Sequence, residues 1–222
     1  MFKLSFFYIG SFSFILSILS FFNIIYSYYF EIFNNIEIYT YTLIISLLLS
    51  LLYFIKKNDL KKITLYEKII SVALGYIVLP LILSIPYFFG LKYLPFIDSY
   101  FEAISGFTST GFTVFDNINQ LDESLIIWRS SSQWIGGLYF LFSLLLLIDI
   151  FDENLKKSIT NYISFSSSEI LKQSLKILII YSSLTLIIFL SLKIIDLRTF
   201  ISLNFAMTII SSGGFLPVNN FD

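Results

Sequence analysis

The sequence contains no cysteine and no histidine. That removes thiolate chemistry, Cys/His zinc sites, haem ligation through either residue, and any histidine acid–base or triad mechanism. Charge is scarce too: 14 Lys and Arg against 15 Asp and Glu leave a net charge of −1. No long basic run exists to meet a phosphate backbone, so no nucleic-acid partner is expected. A small-residue cleavage pattern is also missing behind the first apolar run, residues 4–30. That run exceeds the ~7–15-residue core of a signal peptide and reads as a retained spanning helix.

What the chain has in excess is apolar surface. Hydrophobic residues make up 57% of it and aromatics 19%; the mean hydropathy is +0.84. Soluble domains are only roughly 45–50% apolar. The expected fold is therefore an all-α polytopic membrane protein. Five segments meet or approach the ~20 apolar residues a spanning helix needs: 4–30, 39–55, 69–89, 134–150 and 177–195. Nine of the 14 basic residues fall in two connections, Lys56, Lys57, Lys61, Lys62 and Lys68 in the second and Lys156, Lys157, Lys172 and Lys176 in the fourth. Enrichment of Lys and Arg marks cytoplasmic loops, so these two face inward, with the amino terminus and Lys3. The first connection, carrying Glu31 and Glu37, faces outward with the third connection and the carboxyl-terminal segment.

The third connection, residues 90–133, runs for 44 residues and holds an apolar stretch, 100–107, too short to span. Such a helix covers ~12–16 Å, about half of the hydrocarbon core. It must then hand over to non-helical backbone, which a membrane tolerates only where that backbone lines a cavity. Thr108, Ser109, Thr110, Gly111, Phe112 and Thr113 suit the turn, with Gly111 free in its dihedrals and hydroxyls available to backbone groups. The pattern recurs after a shift of 103 residues: Ala103 falls on Ala206, Ser105 on Thr208, Thr108 on Ser211, Ser109 on Ser212, Gly111 on Gly214 and Phe112 on Phe215. A shift of 102 pairs Gly111 with Gly213 but loses the Gly-Phe pair.

Helix, half-helix, hydroxyl-and-glycine loop, helix is the set of parts that presents backbone carbonyls to a dehydrated cation. The half-helix directs its negative carboxyl end toward the loop, which favours a cation over an anion. Asp98, Asp116, Asp122 and Glu123, against Lys92 and Arg129, make the outer mouth mildly acidic. Other readings stand beside this one. Residues 211–215 with Pro217 also form a simple turn signal. Glu102 suits a hydrogen bond to backbone behind a filter better than direct ion contact. Gly136 and Gly137 suit close helix approach, and Arg129 either an interfacial anchor or a place near the mouth.

The stretch Phe101-Glu102-Ala103-Ile104-Ser105-Gly106-Phe107-Thr108-Ser109-Thr110-Gly111 resembles the first pore loop of the Trk/Ktr/HKT potassium transporters. Trp128-Arg129-Ser130 with Gln133-Trp134-Ile135-Gly136-Gly137 is similar to the start of the helix that follows it there. The resemblance implies a pore subunit of a Trk-type potassium uptake system. Residues 1–60 would be an amino-terminal hairpin, 61–155 a first helix–pore loop–helix repeat, and 156–222 the first helix and loop of a second. Five spanning helices and two re-entrant pore helices follow from this. By the resemblance, Ser109, Thr110, Gly111 and Phe112 with Ser212, Gly213 and Gly214 line a selectivity filter for potassium, supported by Glu102, Thr108 and Arg129. It implies no cofactor in this chain, potassium as substrate, and a bacterial cytoplasmic membrane. It implies as partners lipid, further pore repeats from the same or a second chain, and a cytosolic nucleotide-binding regulatory protein, and it admits a homodimer. The competing classes are a non-conducting membrane scaffold and a membrane enzyme, for which only Glu102 and Asp149 come near to qualifying as intramembrane acids.

Overall fold

The computed structural model describes residues 3–52, 64–147 and 167–218, and the regular elements among them are helical. Eight α-helices follow in chain order: α1 (Lys3–Tyr29), α2 (Ile36–Ser50), α3 (Leu65–Leu83), α4 (Ile85–Gly90), α5 (Phe96–Phe107), α6 (Glu123–Leu147), α7 (Ser167–Ile194) and α8 (Thr199–Ile210). Among the described residues, four spans are long and apolar enough to cross a membrane: Leu4–Tyr29, Leu65–Gly90, Glu123–Leu147 and Leu175–Ile194. The fifth expected crossing, 39–55, overlaps α2, whose 15 residues are short of the ~20 required; the part of it from residue 53 lies outside the described residues. So do Asp149 and the basic clusters at Lys56, Lys57, Lys61, Lys62, Lys156 and Lys157. Lys68 is not in a connection: it sits in α3, buried.

In lipid, apolar burial drives helices together only weakly, and small or hydroxylated residues let backbones approach. Helix α1 buries Ser13, Ser17, Ser20 and Ser27, while α2 buries Tyr39, Thr42, Ser46 and Ser50, each a stripe along one face. The small α2 hydroxyls are satisfied within their own helix, Thr42 donating to Ile38 O and Ser46 to Thr42 O at 2.8 and 2.6 Å. Helix α3 begins with a capping box in which Glu67 N–H donates to Thr64 Oγ1 and Thr64 N–H to Glu67 Oε2. It breaks at Ser84, just before Pro86 in the first turn of α4. Trp128 of α6 donates its indole N–H to Leu83 O at this break, 2.9 Å.

Helix α6 starts at Glu123, eleven residues ahead of the apolar segment 134–150, so the third connection ends at Asp122 and not at Gln133. Its first half is rich in polar residues and resembles a loop, yet Ser124, Arg129, Ser130, Ser131, Ser132 and Gln133 are all buried. They face other parts of the protein, not water. Lower in α6, Tyr139 ties three elements together. Its ring packs edge-on against Phe12 of α1 and Tyr76 of α3 and tilts against Phe107 at the end of α5, and its hydroxyl donates to Val72 O at 3.0 Å.

Candidate functional site

Helices α5 and α8 repeat one another in geometry as well as in sequence. They span residues 96–107 and 199–210, offset by 103 at both ends, which settles the register in favour of the longer shift. Twelve residues reach ~18 Å, little more than half of a ~30 Å hydrocarbon core.

Each helix stops in the same way. Ser109 and Ser212 adopt left-handed backbone, φ 55° and 54°. Ser109 N–H donates to Gly106 O and Thr110 N–H to Ser105 O, each at 2.9 Å; Ser212 donates to Ile209 O and Gly213 to Thr208 O, at 3.0 and 2.8 Å. This is the Schellman closure, and it satisfies the carbonyls of the last turn while turning the chain back. Glycine usually occupies the left-handed position, and serine there carries a backbone cost of ~1–2 kcal/mol. Such strain persists where surrounding structure holds it, often at functional sites.

The returning segments are fastened to the short helices α5 and α8 at equivalent points. Ser105 Oγ donates to Phe112 O at 2.6 Å, and Thr208 Oγ1 to Phe215 O at 3.2 Å. One turn earlier on α5, Glu102 takes the next two residues: Thr113 Oγ1 donates to its carboxylate at 3.0 Å and Val114 N–H at 3.0 Å. The carboxylate is fully buried and pairs with buried Arg129, Nε to Oε1 2.8 Å. Arg129 Nη2 also donates to Thr113 Oγ1 at 3.1 Å, and its guanidinium lies 4.2 Å from the Phe215 ring centroid. One side chain thus touches both loops. A buried ion pair is tolerable only with its remaining hydrogen-bonding capacity met, and here it largely is.

The second repeat departs from the first in a self-consistent way. The shift of 103 puts Phe205 in place of Glu102, Leu216 in place of Thr113 and Pro217 in place of Val114. Pro217 has no N–H and Leu216 no hydroxyl, so the donors that Glu102 serves are gone along with the acid.

Gly111 has φ 82°, and a Cβ there would collide with the Cα of Gly214. A Cβ on Gly214 would in turn come 2.9 Å from the Cα of Gly111. Below them, a Cβ on Gly136 would strike the backbone carbonyl of Phe107, at the end of α5, and one on Gly137 would meet Cβ and Cα of Ser211 at 2.9 and 3.0 Å, at the end of α8. The carbonyls of Ser109, Thr110, Gly111, Ser212, Gly213 and Gly214 accept no hydrogen bond from the described residues. Thr108 Oγ1 bonds Ile104 O and Thr110 Oγ1, at 2.8 and 2.7 Å.

The acidic mouth is thinner than composition suggests. Asp122 accepts from Asn35 Nδ2 at 3.1 Å and Glu123 from Tyr26 OH at 2.5 Å, which pins the α1–α2 hairpin to the start of α6. Arg129 is neither an interfacial anchor nor at the mouth, being buried against Glu102. Ser105 and Thr208 are paired by the repeat in sequence without any sign of their task; the signal that could have shown it is a hydroxyl at the same offset, seven residues ahead of a phenylalanine, in both copies.

A family model described as TrkH, cation transport protein, matches residues 10–218. A cation transporter of Methanocaldococcus jannaschii is 27% identical over 201 residues, covering 86% of this chain and 41% of that protein. The Trk system potassium uptake protein TrkH of Halomonas elongata is 33% identical over 90 residues, 40% of this chain and 19% of that protein. The crystal structure of the potassium transporter TrkH from Vibrio parahaemolyticus superposes with a TM-score of 0.73 at 19% identity, covering 98% of this chain and 44% of that one. The chain thus spans about two-fifths of the length of the Methanocaldococcus transporter and of the Vibrio structure.

Proposed function

The chain belongs to the TrkH family of cation transport proteins, and from that premise we propose that it forms part of the ion-translocating subunit of a Trk-type potassium uptake system in a cytoplasmic membrane. The observation that carries this reading is the set of six carbonyls, of Ser109, Thr110, Gly111, Ser212, Gly213 and Gly214, that take no donor among the described residues, at the ends of two matched half-length helices. Carbonyls in such loops exchange for the hydration shell of a monovalent cation. Potassium is the substrate named for the Halomonas relative.

In this reading Phe112 O, occupied by Ser105, anchors the first filter strand instead of facing the ion. Glu102, Thr108 and Arg129 hold the strands from behind. Residues 1–60 form the hairpin that braces α6, 61–155 the first pore unit, and 156–222 the entry helix and loop of the second. Two strands do not enclose an ion, so further pore units, from the same or another polypeptide, complete the pathway. A cytosolic nucleotide-binding protein is the expected regulator. Complementation tests the reading: in cells stripped of their own potassium uptake systems, the complete transporter restores growth at low external potassium. A correctly inserted protein that restores none would favour the scaffold reading.

A further inference from the structure

Gln133 lies in α6, the exit helix of the first repeat, is fully buried, and has no part in the first filter loop. Its carboxamide instead meets the second. With the oxygen turned toward the loop it accepts from Gly214 N–H and from Phe215 N–H, both at 2.9 Å, while its nitrogen donates to Thr208 Oγ1 at 3.1 Å. That orientation is fixed by chemistry, because the two backbone groups are donors only. Thr208 Oγ1 in turn donates a hydrogen bond to Phe215 O at 3.2 Å. The result is a closed ring from Gln133 through Thr208 to the carbonyl of Phe215 and from the N–H of Phe215 back to Gln133.

The flat amide also explains a difference between the loops. The shift of 103 places Gly213 where the first repeat has Thr110. A Cβ on Gly213 would collide with the Gln133 carboxamide. Thr110 Oγ1 instead bonds Thr108 Oγ1. The glycine in the second loop is therefore the complement of a glutamine in the first repeat.

We propose that Gln133 is a positioning residue for the second filter strand, acting across the repeat boundary. By taking the N–H groups of Gly214 and Phe215 it fixes the peptide planes there, and with them the direction of the Gly213 and Gly214 carbonyls. The inference rests on the potassium-transport reading and assigns Gln133 no contact with the ion. A buried, unpaired amide would otherwise be free to rotate its plane toward any other acceptor.

The test compares Gln133→Met, which keeps length and volume but offers only a weak thioether acceptor, with Gln133→Glu, which keeps the oxygen acceptors. Both are expressed in the complete transporter at matched membrane abundance, and the ratio of potassium to sodium uptake is read. Loss of an acceptor for buried donors predicts a fall of about tenfold in that ratio for Met, and Glu staying within about threefold of wild type. Wild-type discrimination in Gln133→Met overturns the proposal, since a space-filling role predicts it. Equal loss in both variants overturns it too. If Gln133→Met does not reach the membrane, Thr208→Val opens the same ring from the other side, and unchanged discrimination there overturns the proposal as well. Failure of the wild type to take up potassium counts against the functional reading itself and removes this inference with it.

Discussion

Gly111 and Gly214, equivalent positions in the two loops, face one another so closely that neither has room for a side chain. Their demands differ, because Gly111 has positive φ and Gly214 meets steric contact alone. Gly214→Ala therefore asks the two strands to move apart. Gly111→Ala adds a left-handed cost of ~1–2 kcal/mol to a deeper collision with the facing backbone. Potassium-to-sodium uptake ratios measured at equal abundance should fall in both variants, and further in Gly111→Ala. The reverse order would mean that the close approach of the strands is not the constraint.

Glu102 and Arg129 are each at most 1% exposed, which makes their separation costly. Removing one partner of a buried pair typically costs roughly 3–5 kcal/mol, because the other is left charged and unpaired. Arg129→Met should lower the thermal unfolding temperature of the detergent-solubilised protein sharply. Adding Glu102→Gln to it should recover part of the loss. A double variant no more stable than Arg129→Met would show that the pair is not what holds the first strand.

Gly136 and Gly137 lie against the ends of two different short helices, Phe107 of α5 and Ser211 of α8. Sequence alone reads them as general helix-packing positions, for which alanine would reduce abundance and spare ion preference. The geometry changes that expectation. Gly136→Ala pushes on the carbonyl at the foot of the first loop, so selectivity should fall with abundance, and normalising uptake to membrane protein should leave a residual loss of discrimination. A purely proportional loss would return Gly136 to a packing role.

The sidedness of the loops is open to direct chemistry, since the chain has no native cysteine. A single cysteine at Asp116, exposed in the segment between α5 and α6, should react with an impermeant thiol reagent added outside intact cells. One at Lys157 should react only after the membrane is opened. Labelling of position 157 from outside would invert the arrangement.

The repeat was legible in the sequence because its informative residues recur at one fixed offset: the Gly-Phe pairs, the serines that close each helix, and the hydroxyls of Ser105 and Thr208. The half-length of the pore helix was legible for a different reason, that 100–107 is apolar but too short to span. The first half of α6 was legible only in part: the resemblance marked residues 128–137 as the start of a helix, while hydropathy began the helix at Trp134 and neither reached Glu123. Arg129 and Gln133 find their partners in Glu102 and in the loop around Gly214, far along the chain, and a polar run satisfied by tertiary contacts looks like a solvated loop until those contacts are known. The acids at Asp122 and Glu123 misled in the same way, as their partners Asn35 and Tyr26 come from the first hairpin. Differences between the repeats, such as Gly213 for Thr110, carried information too, but only the position of Gln133 made it readable.

The most direct test of the account is ion flux through the purified complete transporter in proteoliposomes, comparing wild type with Gly111→Ser. A filter built from the carbonyls around Gly111 and Gly214 predicts protein-dependent potassium flux exceeding sodium flux in the wild type. It also predicts loss of most of that preference in Gly111→Ser, with insertion intact. Potassium and sodium fluxes that are equal in the wild type, or a preference unchanged by Gly111→Ser, would contradict it.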